Sequence, residues 1–255
     1  MGLLEGKNIL SMGVRNKWSI AWGISEKALK EGANLIFTCQ SEREKEETIC
    51  LLEGYGKQQI YICDVTSDQD LDELFNNIKS KYETLDGVIH SIAYAKPQDM
   101  QNSFINTSRD GFIHSLNIST YSLIAVSQRA KELMSEGGSI ITLTFIGAKR
   151  VINGYNMMGV AKAALEASVI YLASDLGPLG IRVNAISAGA IKTASAKGVK
   201  SFISLNDTIK EKVPLKRGIT LEDIGKSAIY LLSGLSSGVT GEILHVDCGY
   251  NIRGI

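Results

Sequence analysis

Proline is scarce in this chain, 3 of 255 residues, and so are histidine (3), tryptophan (2) and cysteine (4). So few prolines exclude Pro-rich linkers and polyproline segments. His90, His114 and His245 stand far apart, and Cys39, Cys50, Cys63 and Cys248 form no Cys-x-x-Cys, so no metal site is expected. The four thiols read as reduced, mostly buried side chains of a cytoplasmic protein. Excess charge is also missing, because 27 Lys and Arg balance 27 Asp and Glu. A net charge of zero offers no basic face for nucleic acid or an anionic membrane. No unbroken apolar run approaches the roughly 20 residues of a membrane span. The opening MGLLEGKNILSMGV has no basic segment before an apolar core, so no signal peptide is expected. Gly6 leaves the initial Met-Gly without the Ser or Thr of a myristoylation motif.

What is abundant is glycine, 25 residues, in a chain that is 44% hydrophobic. Without a three-residue period, those glycines read as tight turns between strands and helices. Short β-branched runs predict strands at Asn8–Met12, Asn34–Thr38, Gln59–Ile62, Gly87–His90, Ser139–Leu143, Arg182–Ile186 and Ile243–Val246. Helical periods fall near 19–31, 42–54, 68–82, 108–135, 154–176 and 221–233. Continuous apolar strands alternating with helices predict one doubly wound α/β domain over 1–255, a Rossmann-type seven-stranded parallel sheet with helices on both faces. Two segments break the alternation, a polar loop at Ala93–Thr107 and the Gly/Ala/Ser/Thr-rich 187–206. Both follow carboxyl ends of strands, where such sheets bind ligands.

The first strand runs into Gly13-Val14-Arg15-Asn16-Lys17-Trp18-Ser19-Ile20-Ala21-Trp22-Gly23. Gly13 permits the tight turn, and Ser19 and Ile20 open a helix whose N–H groups suit a pyrophosphate. Gly23 is expected to let that helix pack closely on the sheet. The second strand ends at Gln40 instead of the acid that commonly binds the adenosine ribose. Glu42, Glu44, Glu46 and Glu47 disfavour a 2′-phosphate while Arg43 attracts one, and the balance leans to NADH over NADPH. Asp64, after the third strand, either accepts from the adenine amino group or caps the next helix. His90-Ser91-Ile92-Ala93 ends the fourth strand with side chains small enough for the backbone to follow a nucleotide.

Tyr155 and Lys162 lie seven residues apart, two helical turns, and so share one face. A nearby lysine is expected to lower the phenol's pKa and to hold ribose hydroxyls. The phenol then stabilises negative charge on a substrate carbonyl oxygen. The alternative is a surface lysine two turns from an amphipathic tyrosine.

This pattern resembles the short-chain dehydrogenase/reductase superfamily, together with Ile181-Arg182-Val183-Asn184-Ala185-Ile186 and Gly241–Gly249. Within it, the chain looks like the bacterial type II enoyl-acyl-carrier-protein reductases. The marks are the 13–23 segment, His90–Ala93, Arg109-Asp110-Gly111-Phe112, the Tyr-x6-Lys pair and Ser187-Ala188-Gly189. Most of the superfamily uses Tyr-x3-Lys. Three further residues move the phenol about 4.5 Å along the helix axis, from a ketone to a thioester carbonyl two atoms from the hydride acceptor.

The resemblance implies NADH-dependent reduction of a trans-2-enoyl thioester on acyl carrier protein, in fatty acid elongation. Hydride goes to C3, Tyr155 stabilises the enolate oxygen and Lys162 binds the nicotinamide ribose. It further implies that Gly13, Ser19, Ile20, Gln40, Asp64, Val65, Ser91, Ile92, Ile191, Lys192, Thr193, Ala194 and Ser195 contact the dinucleotide. Ala95, Phe145, Met158, Ala194 and Phe202 are implied to contact substrate, on a mobile loop near 191–208 for the last two. A homotetramer is implied as well. The other readings are a carbonyl or β-ketoacyl reductase and a non-catalytic NAD-binding relative. Three positions depart from the family pattern: Phe145 replaces a tyrosine, Ala190 a proline, and Cys248 a glycine or serine.

Overall fold

The computed structural model describes residues 2–191 and 212–253. Strands are β1 (Asn8–Met12), β2 (Asn34–Cys39), β3 (Gln59–Ile62), β4 (Gly87–His90), β5 (Gly138–Thr144), β6 (Ile181–Ala188) and β7 (Ile243–Val246). Helices are α1 (Ile20–Lys30), α2 (Glu42–Leu51), α3 (Asp68–Lys81), α4 (Pro97–Gln101), α5 (Arg109–Leu116), α6 (Ser122–Ala130), α7 (Asn156–Leu176) and α8 (Leu221–Leu232). All seven strands are parallel, in the order β3-β2-β1-β4-β5-β6-β7. The predicted Rossmann-type sheet is therefore present, with every predicted strand within two residues of its observed ends.

Neighbouring strand residues feed opposite cores, as the pleat requires. Leu10, Ile36, Val88, Ile140 and Val183 meet α3, α6 and α7 through Leu74, Val126 and Leu165. Ile9, Leu35, Ile89, Ile141 and Ile186 meet α1 and α8 through Ile24 and Ile229. Each such side chain contributes about 1.5–3 kcal/mol by leaving water. Both faces are thus apolar, and the strands read as unbroken hydrophobic runs. Arg182 and Asn184 carry the polar part of the fold. Arg182 donates to the carbonyls of Leu231 and Ser233 at 2.8 and 3.1 Å, pinning the end of α8. Asn184 donates to Val239 O and accepts from Glu242 N at 3.0 Å each, setting the approach to β7.

Four local expectations need correction. The single helix expected at 108–135 is α5 and α6 joined by a π turn at Asn117–Tyr121, ending in a 3-10 turn at Lys131–Leu133. There Thr120 donates to Ala161 O (2.9 Å) and Ser119 bonds both backbone groups of Tyr94, so tertiary hydrogen bonds hold the wider turn. The polar loop at 93–107 contains α4 and a 3-10 turn, Phe104–Asn106. Gly23 packs on a helix, not on the sheet. A Cβ there would lie 2.8 Å from Leu221 Cβ, and one on Gly225 would lie 2.9 Å from Gly23 O, so these glycines bring α1 and α8 together. Finally, residues 156–179 do match a membrane span in length and mean hydropathy (1.3), although no single run is that long. This stretch is α7 and the 3-10 turn Gly177–Leu179 after it, with α7 packed on the sheet and burying Lys162 and Glu166.

The register levels the carboxyl ends of the central strands. Met12 pairs with Thr38 and His90, and His90 pairs with Thr142. Everything that follows those residues gathers along one edge of the sheet.

Candidate functional site

The β1–α1 turn begins at Gly13, whose φ is +96. A Cβ there would lie 2.2 Å from Ser91 O, so both conformation and space demand glycine. Ser91 N donates to Met12 O at 3.1 Å, locking the turn to the end of β4. Ser19 stands at the N-cap of α1, but its side chain caps nothing. Its Oγ instead holds the turn, accepting from Arg15 N and Asn16 N at 3.3 Å each and donating to Asn16 O. The amides of the first turn of α1 are left for a ligand, whereas Ser41 and Ser67 cap α2 and α3. A free helix start beside a glycine turn fits a pyrophosphate.

Gln40 is exposed after β2, and its N–H donates to Glu44 Oε2 at 3.0 Å. Arg43 pairs with Glu47 at 3.3 Å on the exposed side of α2. Of the two readings of Asp64, the helix cap is ruled out: Ser67 accepts from Asp70 N and caps α3. Asp64 Oδ1 accepts from Thr66 N and Oγ1 at 2.9 and 2.8 Å. Val65, Ile92 and Ile191 are partly buried against the two cores. Lys192, Thr193, Ala194, Ser195 and Phe202, and most of the 191–208 loop, lie outside the described residues.

At the other end, Tyr155 is the N-cap of α7 with helical angles, φ −89 and ψ −30, so the helix proper starts at Asn156, two residues later than expected. Asn156, at φ +37, donates to the carbonyls of Met100 and Asn102 at 3.1 and 2.7 Å. Those bonds tie the start of α7 to α4. The Tyr155 ring meets Phe145 edge-on, centroids 5.0 Å apart. Phe145 thus orients the phenol by packing, where a tyrosine would add a hydroxyl. Gly147 and Gly159 make the seat: a Cβ on Gly147 would lie 2.4 Å from Tyr155 Cδ1, and one on Gly159 would lie 2.8 Å from Gly147 O. A lysine at 159, the Tyr-x3-Lys position, has no room for its own Cβ. Met158 is buried, with its sulfur 4.0 Å from Ser119 Oγ, the hydroxyl that holds Tyr94 beside the half-buried Ala95.

Lys162 is only 6% exposed, and its Nζ donates to Leu143 O at 2.6 Å. Burial pulls its pKa down to about 8, against the opposing Glu166 carboxylate. The expectation that Lys162 lowers the phenol's pKa is not met. Burial pushes Tyr155 up from its ordinary value and Glu166 pushes it the same way, so the hydroxyl stays protonated. It makes no hydrogen bond among the described residues and remains a donor without a partner there.

Glu166 was not singled out from sequence, although it lies one turn beyond Lys162. It is 8% exposed, accepts from Thr144 Oγ1 at 2.8 Å and faces Lys149 Nζ at 3.7 Å. His90 is buried between Thr142 Oγ1 (3.0 Å) and Ser122 Oγ (2.8 Å). Burial, with Lys162 nearby, drops its pKa to about 3, so it stays neutral. Ala190 is buried with Val213 and Cys248, and Cys248 sits at φ +59, which explains the glycine usual there.

A family model described as enoyl-(acyl carrier protein) reductase matches residues 13–251. The chain belongs to that family. It is 51% identical to the NADH-dependent enoyl-[acyl-carrier-protein] reductase of Bacillus cereus, with all of both chains covered. It is also 49% identical to the NADPH-dependent one of Staphylococcus aureus strain MRSA252, over 97% of this chain and 98% of that one. Among solved structures, the B. cereus enoyl-acyl carrier protein reductase crystallised with NADP+ and indole naphthyridinone superposes with a TM-score of 0.98 at 51% identity, with full coverage of both. The reductase from Anaplasma phagocytophilum in complex with NAD gives 0.94 at 41% identity, covering 100% of this chain and 95% of that one.

Proposed function

We propose that the chain catalyses NADH-dependent reduction of the trans-2 double bond of enoyl-acyl-carrier-protein thioesters, with residues 1–255 acting as one dinucleotide-binding and catalytic domain. The observation that carries this reading is the Tyr155 hydroxyl, which has no hydrogen-bond partner among the described residues, seven residues ahead of a buried lysine. Family membership supports the substrate class.

NADH, when bound, supplies the hydride for C3 of the substrate. Gly13, Ser19, Ile20, Gln40, Asp64, Val65, Ser91 and Ile92 would hold it, with Ile191, Lys192, Thr193, Ala194 and Ser195 at the nicotinamide end. Tyr155 donates its hydrogen bond to the thioester carbonyl oxygen, where charge grows as C3 is reduced. A protonated phenol is the required form, the form a tyrosine already holds at neutral pH, and burial shifts it further that way. Lys162 holds the nicotinamide ribose hydroxyls and places a positive charge behind the phenol. Glu166 favours that ammonium, and its hydrogen bond from Thr144 fixes it to the end of β5. Phe145 and Met158 line the acyl side with Ala95, Ala194 and Phe202. The enolate then takes a proton from solvent at C2, which completes the saturated thioester.

The exposed Tyr121, Ile124, Ile170 and Tyr171 on the π turn, α6 and α7 support a homotetramer. Cytoplasmic placement and acyl carrier protein as the partner complete the reading. The test is NADH oxidation with an enoyl-acyl-carrier-protein and, separately, a β-ketoacyl one. Turnover is expected on the first alone, and turnover confined to the second would overturn the reading. A monomer at micromolar concentration in sedimentation would remove the tetramer.

A further inference from the structure

β2 ends without an acid. In open parallel sheets an acid near that point receives the adenosine ribose 2′-hydroxyl, and a nearby arginine accommodates a 2′-phosphate. In this chain the acid arrives from the next helix. Glu44, in the first turn of α2, folds its carboxylate back over the strand end. Its Oε2 accepts from the Gln40 backbone N–H at 3.0 Å, and its Oε1 accepts from Arg15 Nε at 3.0 Å. The Glu44 side chain is 16% exposed, against 60% for Arg15. Arg15 belongs to the β1–α1 turn, so the pair joins the two loops that flank the adenosine end of the crevice.

We propose that Glu44, clamped by Arg15 and the Gln40 amide, sets the preference for NADH over NADPH by accepting the ribose 2′-hydroxyl and repelling a 2′-phosphate. The inference rests on the dinucleotide-dependent reading above. The other charges of α2 are poorly placed for this. Glu42 pairs with the half-buried Lys45 and Arg43 with Glu47, each at 3.3 Å, and Glu46 is exposed. Glu44 alone among these acids is bonded to the end of β2. Its charge also occupies Arg15, a guanidinium whose fork suits a phosphate. Neutralising Glu44 therefore acts twice, removing a repulsion and freeing a receptor. The α2 cap does not depend on the carboxylate, because Ser41 Oγ accepts from Glu44 N at 3.3 Å.

The test is the Kd of NADH and of NADPH, read from nicotinamide fluorescence on the full chain, with thermal unfolding alongside. Glu44→Gln is expected to tighten NADPH about tenfold and weaken NADH about two- to threefold. The double variant Glu44→Gln with Arg15→Ala is expected to lose the part of the NADPH gain that the freed Arg15 supplies and to keep the part that comes from the lost repulsion. Glu44→Ala also removes the charge and gives the same reading if the amide variant does not fold. A Kd ratio that stays at its original value in a folded variant, with only the unfolding temperature lowered, would make Glu44 a structural tie and overturn the proposal. Enoyl-thioester turnover is measured on the same samples. A shifted ratio without turnover strikes the proposed function and leaves this inference. Normal turnover with an unmoved ratio strikes this inference alone.

Discussion

The two proposed ends of the crevice, adenosine and nicotinamide, are both built from charged and polar side chains, under opposite conditions. At the adenosine end, Arg15, Gln40 and Glu44 meet near the surface, and their neighbours Arg43 and Glu47 pair in water. At the nicotinamide end, Lys162, Glu166 and His90 are buried, and burial moves the pKa of Lys162 and of His90. Charge in water is cheap to change and tunes which ligand binds. Charge out of water is held by a few hydrogen bonds, and any change there is felt in rate and stability.

The sharpest break of this comparison is Tyr155→Phe. It removes one hydroxyl with no hydrogen bond among the described residues, so the fold should lose little. Loss of a donor to a developing oxyanion costs about a hundred- to a thousandfold in kcat. Stopped-flow turnover with NADH binding measured in parallel checks it, and a near-normal kcat would remove Tyr155 from the mechanism. Gly147→Ala comes next. Its Cβ would lie 2.4 Å from the Tyr155 ring, so the phenol must move. The expectation is a loss of about tenfold or more in kcat, with NADH affinity held, because a small misplacement costs that much. An unaltered kcat would show that the seat is looser than its geometry.

How far was this difference legible beforehand? The sheet was, because strands such as Leu35-Ile36-Phe37 are apolar on both faces and offer no competing helical period. The Tyr155 and Lys162 pair was legible too, since seven residues is two turns wherever the helix begins. Burial was not. The sign of the Tyr155 shift depends on how much of the ring leaves water, which spacing does not encode, so the phenol was expected to fall and instead rises. Gly23 shows the same limit: a glycine announces a close approach without naming the partner, here α8 instead of the sheet. Glu44 is one of four acids among residues 42–47, and only the folded-back carboxylate separates it from the rest.

Lys162 gives a pH signature for the buried end. Its pKa falls from 10.5 to about 8 in the folded chain. The ammonium therefore persists below about 8, and kcat/KM is expected to drop about tenfold per unit above it. Folding stability should move the other way. Between about 8 and 10.5 the unfolded chain holds a proton that the native chain does not, so this group's contribution to stability rises with pH. Lys162→Arg keeps the charge and should abolish the limb near 8, and a limb that survives in that variant belongs to another group.

His90 acts on stability alone. Its pKa drops from 6.5 to about 3, so it stays neutral in the fold where the unfolded chain would be charged. Its contribution is complete above about 6.5 and is lost at about 1.4 kcal/mol per unit as pH falls towards 3. Denaturant unfolding of wild type and His90→Gln at several pH values checks it, through the difference in slope. Equal slopes would mean that the unfolded chain does not take up the proton alone.

The smallest effect belongs to the exposed end. Arg43→Ala breaks the pair with Glu47, whose partners are 86% and 42% exposed. An exposed pair one helical turn apart contributes about 0.3–0.5 kcal/mol and is screened by salt. Thermal unfolding should therefore shift by no more than about half a kcal/mol, and the shift should vanish at high ionic strength. The comparison is sharpest here, because the same change of one charge at Lys162 would alter a buried hydrogen bond, a pKa and the rate together. A loss above about 1 kcal/mol, or one that persists in salt, would mean that α2 is braced by its charges and that the adenosine end is not the freely tunable half.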